Sequence, residues 1–168
     1  MPYTQINPST PSQTSSSADF DFLVGQWTIH NRKLKTRLAN SNEWFEFEAT
    51  GEMRKLLNGL GNIDSFITTE GHAPFEGMAL RLFNLQTRLW SIHWADSLRG
   101  TLDAPIIGSF QGNIGQFYGD DTYEGQPVVI QFEWDKTEPS HPVWRQAFSA
   151  DRGQTWEWNW YMYFQQPQ

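Results

Sequence analysis

Four histidines, His30, His72, His93 and His141, are the first candidates for acid–base or metal chemistry in this chain of 168 residues. No two of them stand in a His-x-x-x-His or His-Glu-x-x-His pattern, so a helical zinc motif is absent. His72 in TEGHAPFEG and His141 in EPSHPVW fall in loop-like sequence. His30 and His93 fall within alternating segments, where each serves either as a structural or surface histidine or as a ligand or base. Among the acids, Asp64 in GNIDSF and Asp96 in HWADS lie at or near strand positions. A carboxylate buried there needs a cation, and Arg32, Arg81 and Arg145 are available. Structural pairing across a sheet is the alternative to proton transfer. Asp120 and Asp121 are adjacent, and neighbours in a strand point to opposite faces. They read as turn formers rather than as a two-carboxylate site. A Gly-x-Ser-x-Gly elbow, a phosphate loop and a dinucleotide fingerprint are all missing.

Composition narrows the function classes. Nine Trp, twelve Phe and five Tyr concentrate the apolar surface in a few large rings. Such rings favour strands, and they line small-molecule pockets in which a few polar groups fix orientation. The net charge of −7 argues against a general nucleic-acid binder, which needs a basic face. One local basic run, HNRKLKTR from His30 to Arg37, reads as a solvated strand face, with an anion site as the alternative. Without cysteine there are no disulfides and no thiolate metal ligands. That usage, with no secretory start and no apolar run of about 20 residues, leads us to expect a cytoplasmic protein without membrane insertion.

The length fits one domain. Residues 1–18, MPYTQINPSTPSQTSSSA, lack an apolar face and are expected to form a disordered tail. From residue 19 to 168 the pattern is strand after strand. GQWTIHNRKLKTRL and WFEFEATGEMRKLL alternate; NGLGN is a turn; GMALRLF is joined by NLQT to LWSIHWAD; PIIGSF turns at QGN into IGQFYGDD; VVIQFEWD, PVWRQAFS and TWEWNWYMYF follow. About ten strands with short turns predict an all-β sandwich or barrel. ADFDFLVG is the one helical candidate, with Asp19 or Asp21 as its cap.

Ser149-x-Asp151-x-Gly153-x-Thr155-Trp156 resembles the Asp-box, a hairpin signature best known from sialidases. A single copy in a chain this short implies the hairpin and not the sugar chemistry. In the hairpin it closes, Trp144, Gln146 and Phe148 share one face. Glu157, Asn159, Tyr161 and Tyr163 share one face of the next strand, and Trp156, Trp158, Trp160 and Met162 share the other. A slip of one residue reverses the faces, so either set is open to join Gln146. Two aromatic faces imply that the tail or a second subunit covers the outer one, and a homodimer is expected.

DFDFLVGQWTI, a short apolar turn followed by Gly25-x-Trp27 and a long alternating strand, is similar to the start of lipocalins and other calycins. WTIHNRKLKTRL, LWSIHWAD and IGSFQGNIGQFYGDDTYEGQPV resemble a lipocalin-like bacterial family of unknown function. The resemblance implies an antiparallel up-and-down barrel of about 8–10 strands with Trp27 at its closed end. Haem-binding barrels of similar fold hold iron through a histidine near the C-terminal strands. TWEWNWYMYF has none, so no cofactor is expected.

Two functions remain. One is a cofactor-free binding protein for a small apolar or aromatic molecule, with Trp94 among its walls and His30, Arg32, Arg81, Gln146, Glu157 and Asn159 as polar anchors. The other is an enzyme using the same cavity, such as a cyclase or isomerase. It would hold a substrate in a reactive shape with His30, His93, Asp64 or Glu157 as acid or base. A barrel filled by its own side chains would instead be an interaction protein.

Overall fold

Period-two alternation turns Trp27, Ile29 and Asn31 of the first strand into the interior and leaves Thr28, His30 and Arg32 facing out. The computed structural model describes residues 10–69 and 73–168, so His72 and residues 1–9 of the expected tail lie outside the described residues. The strands are β1 (Gly25–Leu34), β2 (Trp44–Leu56), β3 (Gly61–Thr68), β4 (Glu76–Phe83), β5 (Trp90–Asp96), β6 (Ile106–Gln111), β7 (Ile114–Tyr123), β8 (Gln126–Asp135), β9 (Val143–Ser149) and β10 (Glu157–Gln165). Each pairs antiparallel with the next, and β1 closes on β10, so the described residues form a closed ten-stranded antiparallel barrel. Closure leaves no free sheet edge.

One seam is short. Between β5 and β6 only Trp90–Ile92 pair with Ile106–Gly108, although β5 continues to Asp96. Beyond Ile92 the wall parts, bridged by the bond from Asp103 N–H to Trp94 C=O.

The opposite end is plugged by rings. A 3₁₀ turn, Asp21–Leu23, precedes β1, and Trp27 donates its indole N–H to Leu23 C=O at 2.8 Å. Phe20 meets Trp90, Phe110 and Trp134 edge-on at 4.9, 5.1 and 6.1 Å, geometries that aromatic pairs favour. Neither Asp19 nor Asp21 caps the turn as expected. Phe20 holds the N-cap position, Asp19 instead accepts from Ser16 N–H, and Asp21 pairs with Lys55.

Residues 10–18, expected to be part of a disordered tail, lie against this plugged end. Ser15 is buried and donates to Arg88 C=O; Ser12 donates its hydroxyl to Phe110 C=O and its N–H to Ser109 Oγ. The Arg88 guanidinium returns bonds to the carbonyls of Ser12, Gln13 and Ser15. Serine hydroxyls and one arginine supply the partners that an apolar face would otherwise have to replace. Two outer rings carry cations: Arg32 lies over Trp44 at 4.1 Å and Arg145 over Trp158 at 3.6 Å.

The final hairpin shows why Asp151 stands where it does. Its carboxylate accepts from Ser149 Oγ, Gln154 N–H, Thr155 N–H and Thr155 Oγ1 at 2.8, 3.1, 2.9 and 2.6 Å. Gly153 takes φ +87°, which brings its N–H to Ser149 Oγ at 2.7 Å. Every one of these bonds is spent inside the loop.

Candidate functional site

Inward alternation from ten strands leaves a cavity of about 250 Å³ between the ring plug and the β5–β6 gap. Its walls are mainly aromatic. Phe66 meets Trp94 and Trp160 at 5.9 and 6.3 Å, Trp144 meets Trp160 edge-on at 5.5 Å, and Phe132 meets Trp144 at 5.1 Å. Trp94 fits because β4 has a glycine beneath it: a Cβ on Gly77 would lie 2.2 Å from the Trp94 ring.

Polar groups stand at three depths. Near the plug, Arg81 is buried at 3% exposure and donates to Asn62 Oδ1 at 3.0 Å and Asp64 Oδ2 at 2.7 Å. Asp64 Oδ1 accepts from Ala79 N–H. A buried guanidinium without such a partner would be strongly unfavourable, and both residues line the cavity. Higher in the wall, Gln146 lines the cavity and donates to Asn159 Oδ1 at 3.0 Å. At the gap, Trp94 Nε1–H donates to Asp96, which also faces Arg99, and Arg99 pairs in turn with Asp103. Burial pushes the Asp96 carboxyl up, but the Trp94 and Leu98 N–H bonds and Arg99 outweigh it and hold it below its usual range.

Of the residues expected to carry the site, Asp64, Arg81, Trp94 and Gln146 line one cavity. Asn159 stands behind Gln146, fully buried. The others are placed elsewhere. His30 faces outward between Glu46 and Glu48, and the hydrogen bond to Glu48, with that to Glu46, raises its pKa despite some desolvation. Arg32 lies outside on Trp44. His93 alternates with cavity-facing Ile92 and Trp94 and so points outward. Glu157 is turned toward the loop after β1 and accepts from Leu38 N–H at 2.8 Å. Asp120 and Asp121 belong to β7 rather than to a turn, and both border the opening.

A β-bulge between Trp158 and Trp160 decides the faces of the last strand. Asn159 joins Gln146 inside, and after the extra residue Trp160, Met162 and Phe164 face in as well. Strict alternation could not place both sets on one side. Sequence reasoning also missed Asn31 and Lys33. Asn31 is fully buried and accepts from Trp160 Nε1 at 3.0 Å, and Lys33 Nζ lies 4.0 Å from the Trp160 ring centre. Their parity with Trp27 was the available signal.

No protein-family model matches the chain, and no curated protein matches it. Among solved structures, it is similar to that of an S-type phycobiliprotein lyase, CPES, from Guillardia theta, with a TM-score of 0.59 and 10% identity over 99% of each chain. The fold is that of a calycin-like barrel. At this identity the likeness concerns fold alone. No helix among the described residues is long and apolar enough to cross a membrane.

Proposed function

We propose that the barrel binds a small apolar or aromatic molecule in its interior cavity. The observation that carries this reading is the space left among Phe66, Trp94, Phe132, Trp144 and Trp160, about 250 Å³ that reaches the surface at the β5–β6 gap. A barrel serving only as an interaction scaffold would gain from filling that space. The volume lies just below the roughly 300–1,000 Å³ of ligand pockets and suits a bicyclic molecule. The lyase of similar fold is consistent with a ligand-holding barrel, as an analogy of fold. Binding is favoured over catalysis because the expected acids and bases are engaged or displaced. Arg81 holds Asp64, Leu38 N–H holds Glu157, and His30 and His93 lie outside.

Native mass spectrometry of the protein purified from its own host tests the reading. A stoichiometric small molecule, absent from an Ala79→Trp variant whose new ring fills the cavity, is the expected result. A bare-chain mass together with no thermal shift against bicyclic aromatic compounds would sink it.

A further inference from the structure

We propose that the molecule held in the barrel is an organic acid whose anionic group pairs with the Lys33 ammonium, beside the Gln146–Asn159 amides; this rests on the small-molecule reading above. The placement comes from register. Gln146 of β9, Trp160 of β10, Lys33 of β1 and Phe45 of β2 are consecutive cross-strand partners. Side chains of directly paired residues share a face. Trp160 and Gln146 line the cavity; Lys33 is not itself a lining residue, and the shared row puts it on their face of the sheet, behind the Trp160 ring. Its ammonium rests on the Trp160 ring, 4.0 Å from the centre.

The other cations at the cavity are answered, whereas the lining carboxylates Glu52, Asp120 and Asp121 form no ion pair among the described residues. Arg81 has Asp64, and Arg99 has Asp96 and Asp103. Lys33 forms no ion pair with any carboxylate among the described residues. Asp96 acts on it only from a distance, and Arg37 repels it. Burial accordingly pushes its pKa down to about 8, which still leaves it mostly protonated at neutral pH.

A second observation, independent of Lys33, points to the same ligand chemistry. Asn159 is fully buried and its Nδ2 has no partner among the described residues, nor has Arg81 Nε. Trp90 Nε1 is the third such atom, and all three are N–H donors. Buried donors are rarely left unmet; Asn159 stands behind Gln146 and does not itself line the cavity, so an incoming oxygen acceptor would meet its Nδ2 only as the Gln146 side chain moves aside. A cation, an ammonium ligand for instance, would meet none of them and would face Lys33. Asp120 and Asp121 at the opening are exposed, and their repulsion of an anion is screened beyond about 8 Å at physiological salt. They affect entry more than the bound pairing. The basic run His30 to Arg37 thus divides: its outward members face solvent, and Lys33 alone is turned to the cavity row.

Three bicyclic probes of one skeleton test this by isothermal titration calorimetry on the full chain: 1-naphthaleneacetic acid, 1-naphthaleneacetamide and 2-(1-naphthyl)ethylamine. The acid is expected to bind roughly tenfold more tightly than the amide, with the amine weakest. Lys33→Met should bring acid and amide to within about twofold of each other, and Lys33→Arg should keep the acid's advantage. Equal binding of acid and amide by the native protein, tighter binding of the amine, or a preference for the acid that survives Lys33→Met overturns the proposal and leaves the cavity reading standing. Binding of none of the three, or binding that survives Ala79→Trp, overturns both.

Discussion

Gln146 Nε2 donates to Asn159 Oδ1 at 3.0 Å across two strands whose register shifts between Trp158 and Trp160. The bond joins a cavity-lining amide to a fully buried one and fixes which way Gln146 points. Asn159→Ala should therefore lower the unfolding free energy by about 1–3 kcal/mol. Because Asn159 Nδ2 is itself unmet, the loss should fall toward the low end of that range. Urea denaturation measures it. A variant as stable as the parent would mean that the bond contributes nothing beyond offsetting its own desolvation.

The barrel was legible in the sequence and this amide pair was only half legible. Ten alternating segments with turn residues between them leave a sandwich or a barrel, and the calycin resemblance of Gly25-x-Trp27 after an apolar turn implied the barrel and its plugged end. Alternation also assigns Gln146 to the same face as Trp144. The bulge has no local signature in EWNWYMYF, since Asn159 neither breaks the strand nor requires an unusual backbone, so the face of the last strand could not be decided. His30 and Arg32 were chosen for chemistry when their parity with Thr28 rather than with Trp27 already put them outside. Lys33, in parity with Trp27, was hidden within a basic run whose usual meaning is a solvated surface.

Arg81 and Asp64 form a buried pair at 2.7 Å near the cavity's inner end. Removing one partner leaves an uncompensated charge, so Asp64→Ala should cost roughly 3–5 kcal/mol. Replacing both, as in Asp64→Leu with Arg81→Met, should cost less than either single change, because no charge is then left in the core. Denaturant unfolding of the three variants checks the order. A double variant as unstable as the sum of the singles would show that the residues act independently, against the pairing.

Gly77 lies under Trp94, and a Cβ there would approach the ring to 2.2 Å. Gly77→Ala should displace Trp94, whose Nε1 is also tied to Asp96 at 2.9 Å. The contact is with a side chain, so the barrel should fold, with a loss on the order of 1–3 kcal/mol from overpacking. The cavity wall should change more than the stability. Binding of 1-naphthaleneacetamide should weaken, and the tryptophan fluorescence spectrum should shift. Unchanged fluorescence and affinity would place Trp94 outside the binding wall.

Asp151 makes a pH-dependent contribution with a defined sign. The Thr155 hydroxyl and N–H, with Ser149 and Gln154, stabilise its charged form and depress its pKa from 3.8 to about 2. A carboxyl depressed on folding stabilises the fold above its unfolded pKa, and that contribution fades as pH falls through the folded one. Asp151→Ala should therefore melt at a lower temperature than the parent by a constant margin from about pH 7 to pH 5, and the margin should narrow between about pH 4 and pH 2. Because the carboxylate is on the surface, the margin should be modest, but its pH course identifies the charge as the cause. Thermal melts of both proteins across that range make the comparison. A margin that stays constant down to pH 2 would mean that Asp151 holds the hairpin by shape and neutral hydrogen bonds alone.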